Sequence, residues 1–227
     1  MDPSTPRRRV RSFVRREGRL TTAQGEALER LWPRYGVAPE GILDLPALFA
    51  RRAPVTLEIG FGNGDTLLAL AEQKPEEDFL GIEVHRPGVG RLLRELDNRG
   101  LTNVRVLQTD AVDILEHHLP DACLDRVLVL FPDPWPKKRH HKRRLVQPAF
   151  AALVARCLKP AGILHLATDW EDYARQMLEV MEHAPGYVNA AGPGAFSPRP
   201  PERIVTRFER RGERRGHRVR DLVYRRN

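Results

Sequence analysis

The sequence predicts an α/β protein: an open, mostly parallel sheet covered by helices on both faces. Three observations carry that prediction. From Val55 onward, short apolar runs bounded by turn residues alternate with longer segments of helical period. A glycine-rich turn, Gly60-Phe-Gly-Asn-Gly64, follows the first run. A carboxylate stands at or just past the end of each of five runs, as Glu58, Glu83, Asp110, Asp133 and Asp169. Open sheets of this kind take their ligands at the carboxyl ends of the strands.

Residues 1–19 hold few large apolar groups and read as a basic, flexible arm. Residues 20–54 form a helical extension. Within it, Thr21 or Thr22 can cap a helix through Arg30, with Ala23, Ala27, Leu28 and Leu31 on one side, ended by Pro33 and Gly36. Residues 39–54 connect, with one helical turn at Leu45–Phe49. The main domain spans residues 55–227. Its strands are expected at 55–59, 79–84, 104–108, 125–130 and 162–167, and its helices at 66–72, 90–99, 113–118, 147–157 and 170–182. After Ala184 the chain is rich in Pro and Gly until Pro201, and one or two strands between Arg203 and Arg226 close the sheet.

Composition narrows the function. A hydrophobic fraction of 41% is globular. No apolar run is long enough to span a bilayer, and the Arg-rich start lacks the apolar stretch of a signal peptide. Cys123 and Cys157 make no disulfide framework and read as buried thiols, so the cytoplasm is the expected compartment. The net charge of +8 is uneven: residues 1–19, 137–144 and 199–227 carry +5, +6 and +7, leaving −10 on the remainder. Cations gathered in three tracts around an acidic body fit a polyanion partner; by charge alone, solvated surface charge is an equal alternative.

The most informative stretch is residues 128–144. An apolar strand runs into Phe-Pro-Asp133-Pro-Trp135-Pro, whose prolines force the chain out of the sheet, and then into a basic loop, residues 136–146. An acid and an aromatic at a strand end, beside Lys137, Lys138, Arg139, Lys142, Arg143 and Arg144, suit a site that handles a nucleic-acid base. Trp135 can stack on a base or pack beneath the loop. His140 and His141 have no Cys or carboxylate partners at metal-finger spacing, and no metal is expected.

The glycine turn suits any nucleotide cofactor. Glu83 lies 21 residues past Gly62, where an acid meets ribose hydroxyls. Glu58, just before the turn, would repel a pyrophosphate but attract the ammonium and sulfonium of S-adenosylmethionine. Asp110 can accept from the adenine amine.

Together, Glu58-Ile-Gly-Phe-Gly-Asn-Gly64, Gly81-Ile-Glu83-Val, Phe131-Pro-Asp133-Pro-Trp-Pro-Lys-Lys-Arg-His, Ala167-Thr-Asp169 and Thr206-Arg-Phe-Glu209 resemble the bacterial tRNA (guanine-N7)-methyltransferases. Arg11-Ser-Phe-Val-Arg-Arg-x-Gly-Arg-Leu20 and Gly216-His217 with Asp221-Leu222 extend the resemblance over nearly the whole chain. It implies a Rossmann-like class I S-adenosylmethionine-dependent fold with a seven-stranded sheet, and methyl transfer to N7 of a variable-loop guanine in tRNA. It also implies that Glu58, Gly60, Gly62, Gly64, Glu83, Asp110 and Asp133 bind the cofactor, with Asp133 catalytic. Lys137, Asp169, Thr206, Arg207, Phe208 and Glu209 would hold the substrate, and Arg139, His140, His141, Lys142, Arg143 and Arg144 would contact RNA. Arg207 departs from the Lys usual in the family. No membrane and no obligatory protein partner are expected, and the chain is read as a monomer or homodimer.

Two rival classes are an NAD(P)-linked oxidoreductase and a non-catalytic RNA-binding module with a vestigial cofactor site. Glu58, and Asp65 where a third-spaced glycine would stand, count against the first. The second should lack cofactor acids, and none is missing. Enzymes that methylate exocyclic amines often carry Asn-Pro-Pro-aromatic where this chain has Pro-Asp-Pro-Trp.

Overall fold

The computed structural model describes residues 11–13, 19–205, 209, 216 and 218–227. Among them are strands β1 (Val55–Ile59), β2 (Asp78–Ile82), β3 (Val104–Leu107), β4 (Leu124–Leu130), β5 (Leu158–Thr168), β6 (Tyr187–Asn189) and β7 (Arg220–Arg226). They form one seven-stranded sheet in the order β3-β2-β1-β4-β5-β7-β6. The first five strands are parallel, and β7 runs antiparallel to both β5 and β6. Successive crossovers change direction between β1 and β4, which opens a crevice at the carboxyl ends of those two strands.

Helices α1 (Thr22–Tyr35), α2 (Leu45–Phe49), α3 (Asp65–Gln73), α4 (Arg86–Asn98), α5 (Ala111–His117), α6 (Pro148–Cys157) and α7 (Glu171–Glu182) complete the fold. Alternate residues of β4 feed two cores, and β1 feeds the first. Leu57, Ile59, Val127 and Val129 pack with Ile114, Phe150, Val154, Tyr173 and Met177 of α5, α6 and α7. Leu128 and Leu130 pack on the other face with Leu31, Leu67, Leu70, Leu92 and Leu93 of α1, α3 and α4. The 20–54 extension joins both cores, α1 in the second and Val37, Leu43 and Leu45 in the first. Cys157 is fully buried and Cys123 half-buried, and desolvation pushes their thiols up to about 11 and about 12. Both are inert packing groups.

Four elements differ from expectation, one of them β5, which begins at Leu158 and not at residue 162. Helix α1 passes through Pro33 to Tyr35. The missing proline N–H removes one helical bond, but one more turn buries Tyr35 beside Leu31, and Gly36 N–H closes the helix on Trp32 O at 2.7 Å. Helix α4 starts at Arg86, not residue 90, because Pro87 lies in the first turn, where its lost N–H has no helical acceptor. Strand β6 falls in the Pro/Gly-rich stretch; only three residues long, it leaves too short a pattern to read.

Candidate active site

Phe131 N–H still donates to Ala167 O of β5, at 2.7 Å, just beyond the end of β4. Pro132, Pro134 and Pro136 then offer no donors, and the chain leaves the sheet as a loop. Phe131 and Trp135 both take positive φ, 55° and 47°, a region costly for residues with a Cβ. Asp133, exposed between them, faces a cleft of about 580 Å³. Gly60, Glu83 and Asp110 line the same cleft, so four of the seven expected cofactor residues converge there. Glu58, Gly62 and Gly64 are not among the residues that line it.

Gly60 brings the glycine turn to the edge of the cleft. Gly60, Gly62 and Gly64 have φ of 73°, 55° and 78°, which only glycine adopts without strain. Gly88 of α4 lies so close to the turn that a Cβ there would stand 2.1 Å from Gly62 O. The buried Glu83 carboxylate fixes the arrangement, accepting from the N–H groups of Gly62, Val84 and His85 at 2.8, 2.6 and 2.9 Å. Asp110 caps α5 through Val112 N–H at 3.1 Å.

Glu58 pairs in register with Gly81 on one side and Leu128 on the other and is almost completely buried. Its Oε2 has no hydrogen-bond partner. Burial, followed by repulsion from Glu83 and Asp65, pushes its carboxyl up to about 8; hydrogen bonds from Thr66 and Leu67 oppose the rise. An unpartnered buried acceptor, three permissive glycines and an acid-lined cleft fit a cationic amino-acid nucleoside and disfavour a pyrophosphate. S-Adenosylmethionine fits: Glu83 and Asp110 would take its ribose and adenine, and the Glu58 side its cationic end.

The basic loop forms a 3₁₀ helix, Lys138–Arg143, at the rim. Lys137, Lys138, Arg139 and Lys142 are exposed, and His140, His141 and Arg143 are half-buried. Desolvation and the cations Arg139, Arg143, Lys137 and Lys142 hold His140 below its usual range. The Trp135 ring lies under the Arg143 guanidinium at 4.9 Å and edge-on to His140, while its Nε1–H donates to Ser12 O at 2.9 Å. Trp135 thus packs beneath the loop.

Two expected RNA- or substrate-facing residues are turned inward. Arg144 is buried, with Nη2 at 2.5 Å from Asp172 Oδ2, because Leu145 and Val146 after it draw the chain back to the core. Glu209 is also buried, paired with Arg203. Asp169, half-buried just past β5, lies outside the cleft lining. Thr206, Arg207 and Phe208 lie outside the described residues. Sequence reasoning missed Ser12, Phe13, His85 and Phe131 in the cleft wall. His85 follows Glu83 at the strand end and could have been found by position; Ser12 and Phe13 are brought in only by tertiary folding.

A family profile described as "Putative methyltransferase" matches residues 52–222. A tRNA (guanine-N(7)-)-methyltransferase of Methylococcus capsulatus is 60% identical over 98% of this chain and 96% of its own length. Another, from Alkalilimnicola ehrlichii, is 60% identical over 99% and 95%. The chain belongs to this tRNA (guanine-N(7)-)-methyltransferase family. As a member of it, the chain is an S-adenosylmethionine-dependent methyltransferase. The crystal structure of the 16S rRNA methyltransferase KamB shares the fold, with a TM-score of 0.60 at 17% identity over 85% of this chain and 98% of that one.

Proposed function

We propose that this chain methylates N7 of guanine in tRNA, giving 7-methylguanosine, with the variable-loop guanine as its target and the cytoplasm as its compartment. One observation carries the reading: Asp133 shares a cleft with Glu83, Asp110 and Gly60 at the root of the basic loop. Bound S-adenosylmethionine supplies an electrophilic methyl on a sulfonium.

Guanine N7 holds a lone pair and no proton, so the protein need not provide a general base. Its work is alignment and charge. The turn at Gly60 and the Glu83 carboxylate fix one reactant, and the loop cations fix the other, which removes much of the entropic barrier. Asp133 stands where positive charge moves onto the purine and can also accept from the guanine N1–H and amino edge. Lys137, Arg139, His140, His141, Lys142 and Arg143 face RNA phosphates, and Asp169 with the 206–209 segment steadies the nucleotide. Among the described residues no helix is long and apolar enough to cross a membrane, and the chain acts on tRNA as a monomer or homodimer.

Incubation with methyl-labelled S-adenosylmethionine and bulk tRNA, followed by nucleoside mapping, tests the reading. The expected product is labelled 7-methylguanosine. Label on an exocyclic amine, or none, would overturn it.

A further inference from the structure

The segment from Phe131 to Trp135 has an unusual mechanical problem. Three of its neighbouring positions are prolines without N–H groups, and its two flanking non-glycine residues sit at positive φ. It can make few backbone bonds of its own, so other elements must hold it in place. One contact does so from within the protein. Arg144 Nε–H donates to Pro134 O at 2.8 Å, the carbonyl one residue past Asp133.

The other nitrogens of Arg144 tie that contact to α7. Nη1 donates to Gln176 Oε1 at 2.6 Å, Nη2 donates to Asp172 Oδ2 at 2.5 Å, and Cζ lies 4.9 Å from the Tyr173 ring centroid. The Arg144 side chain is 1% exposed, whereas that of Asp172 is 63% exposed. The guanidinium holds the Asp172 carboxyl below its ordinary range. A planar fork can donate in three directions at once; a lysine ammonium at the same place cannot reproduce that geometry.

We propose that Arg144 is a positioning residue for the methyl transfer: it fixes the Asp133 loop to α7 through the Pro134 carbonyl and does not itself grip RNA. This deepens, and rests on, the tRNA methyltransferase reading. Arg144 closes a run of cations whose other members reach the surface. The run therefore has two tasks, with its first five cations facing outward and its last anchoring the loop.

The test compares full-length wild type with Arg144→Lys and Asp172→Asn in two readouts. In steady-state methylation of tRNA transcripts, Arg144→Lys is expected to lower kcat at least tenfold. Its KM for tRNA should stay within about twofold, and its salt dependence should not change. Asp172→Asn, on the surface side of the anchor, is expected to lower kcat less and in the same direction, and it carries the test if Arg144→Lys does not fold. In the second readout, acrylamide quenching of Trp135 in a Trp32→Phe, Trp170→Phe background reports loop order without turnover. Greater quenching in the variants is expected. A wild-type kcat in both variants, unchanged quenching, or a raised KM for tRNA with a flatter salt slope and normal kcat would each overturn the proposal. A wild-type protein that yields no 7-methylguanosine would defeat the functional reading instead, and the quenching comparison would still decide whether Arg144 holds the loop.

Discussion

Arg203 and Glu209 form a two-point ion pair in the interior, with Nη1 2.7 Å from Oε2 and Nη2 2.8 Å from Oε1. Asp221 of β7 lies 3.2 Å from Arg203 Nη2, and its other oxygen lies 2.8 Å from His165 Nε2 of β5. The Arg203 guanidinium also lies 5.8 Å from the Phe131 ring centroid, at the start of the Asp133 loop. Arg203 and Glu209, from the C-terminal stretch expected to hold substrate, are thus tied to β7 beside the Asp133 loop.

Truncating Arg203 would remove the guanidinium shared by two buried carboxylates, Glu209 and Asp221. Arg203→Ala is expected to destabilise the fold by about 3–5 kcal/mol in denaturant unfolding. A loss below about 1 kcal/mol would show that the pair is solvated in solution.

Asp133→Asn keeps the shape of the side chain and removes its charge. If the carboxylate follows the charge that develops on guanine, kcat should fall about 10²–10³-fold with little change in KM for tRNA. Near-normal kcat removes Asp133 from the catalytic role.

Salt dependence follows from burial. With Arg144 inside, five loop cations remain for phosphate, so log K for tRNA should fall with log salt at a slope near −3.5 to −4.5 from this loop. Lys138→Gln with Arg139→Gln should flatten the total slope by about 1.5. An unchanged slope in filter binding between low and moderate salt would place those cations away from RNA.

Cofactor binding is expected to depend on pH through Glu58. Its carboxyl keeps its proton in the fold up to about pH 8, whereas the unfolded chain releases it near 4.5. Between those values the folded state binds more protons. Stability from this group is complete below 4.5 and is lost at about 1.4 kcal/mol per pH unit as pH rises to about 8. A cationic ligand nearby favours the ionised form, so binding below pH 8 should release up to one proton and tighten as pH rises. Calorimetry at pH 7 in buffers of different ionisation enthalpy measures this directly, and Glu58→Gln should abolish the buffer dependence. Equal heats for the wild type would show Glu58 already ionised.

The sheet was legible where apolar runs ended in glycine or a carboxylate: β1 to β4 lie within two residues of expectation. β5 begins four residues early, where Leu158 pairs with Leu124 across a register shift that no hydrophobic pattern encodes. β6 and the extension of α1 through Pro33 depend on burial against partners distant in sequence. Within the site, Glu83, Asp110 and Asp133 were legible because a strand end fixes where a residue lies. Arg144 was not. Five outward cations and one inward cation look alike in a basic run, and only the placement of α7 separates them.

Strand β7 has a consequence for biogenesis. It wedges between β5 and β6, so a nascent polypeptide synthesised only as far as residue 219 would leave both neighbours with bare edges. Such a polypeptide is a template for edge-to-edge association. Translational stalling before residue 220 would therefore yield an aggregation-prone fragment that lacks β7.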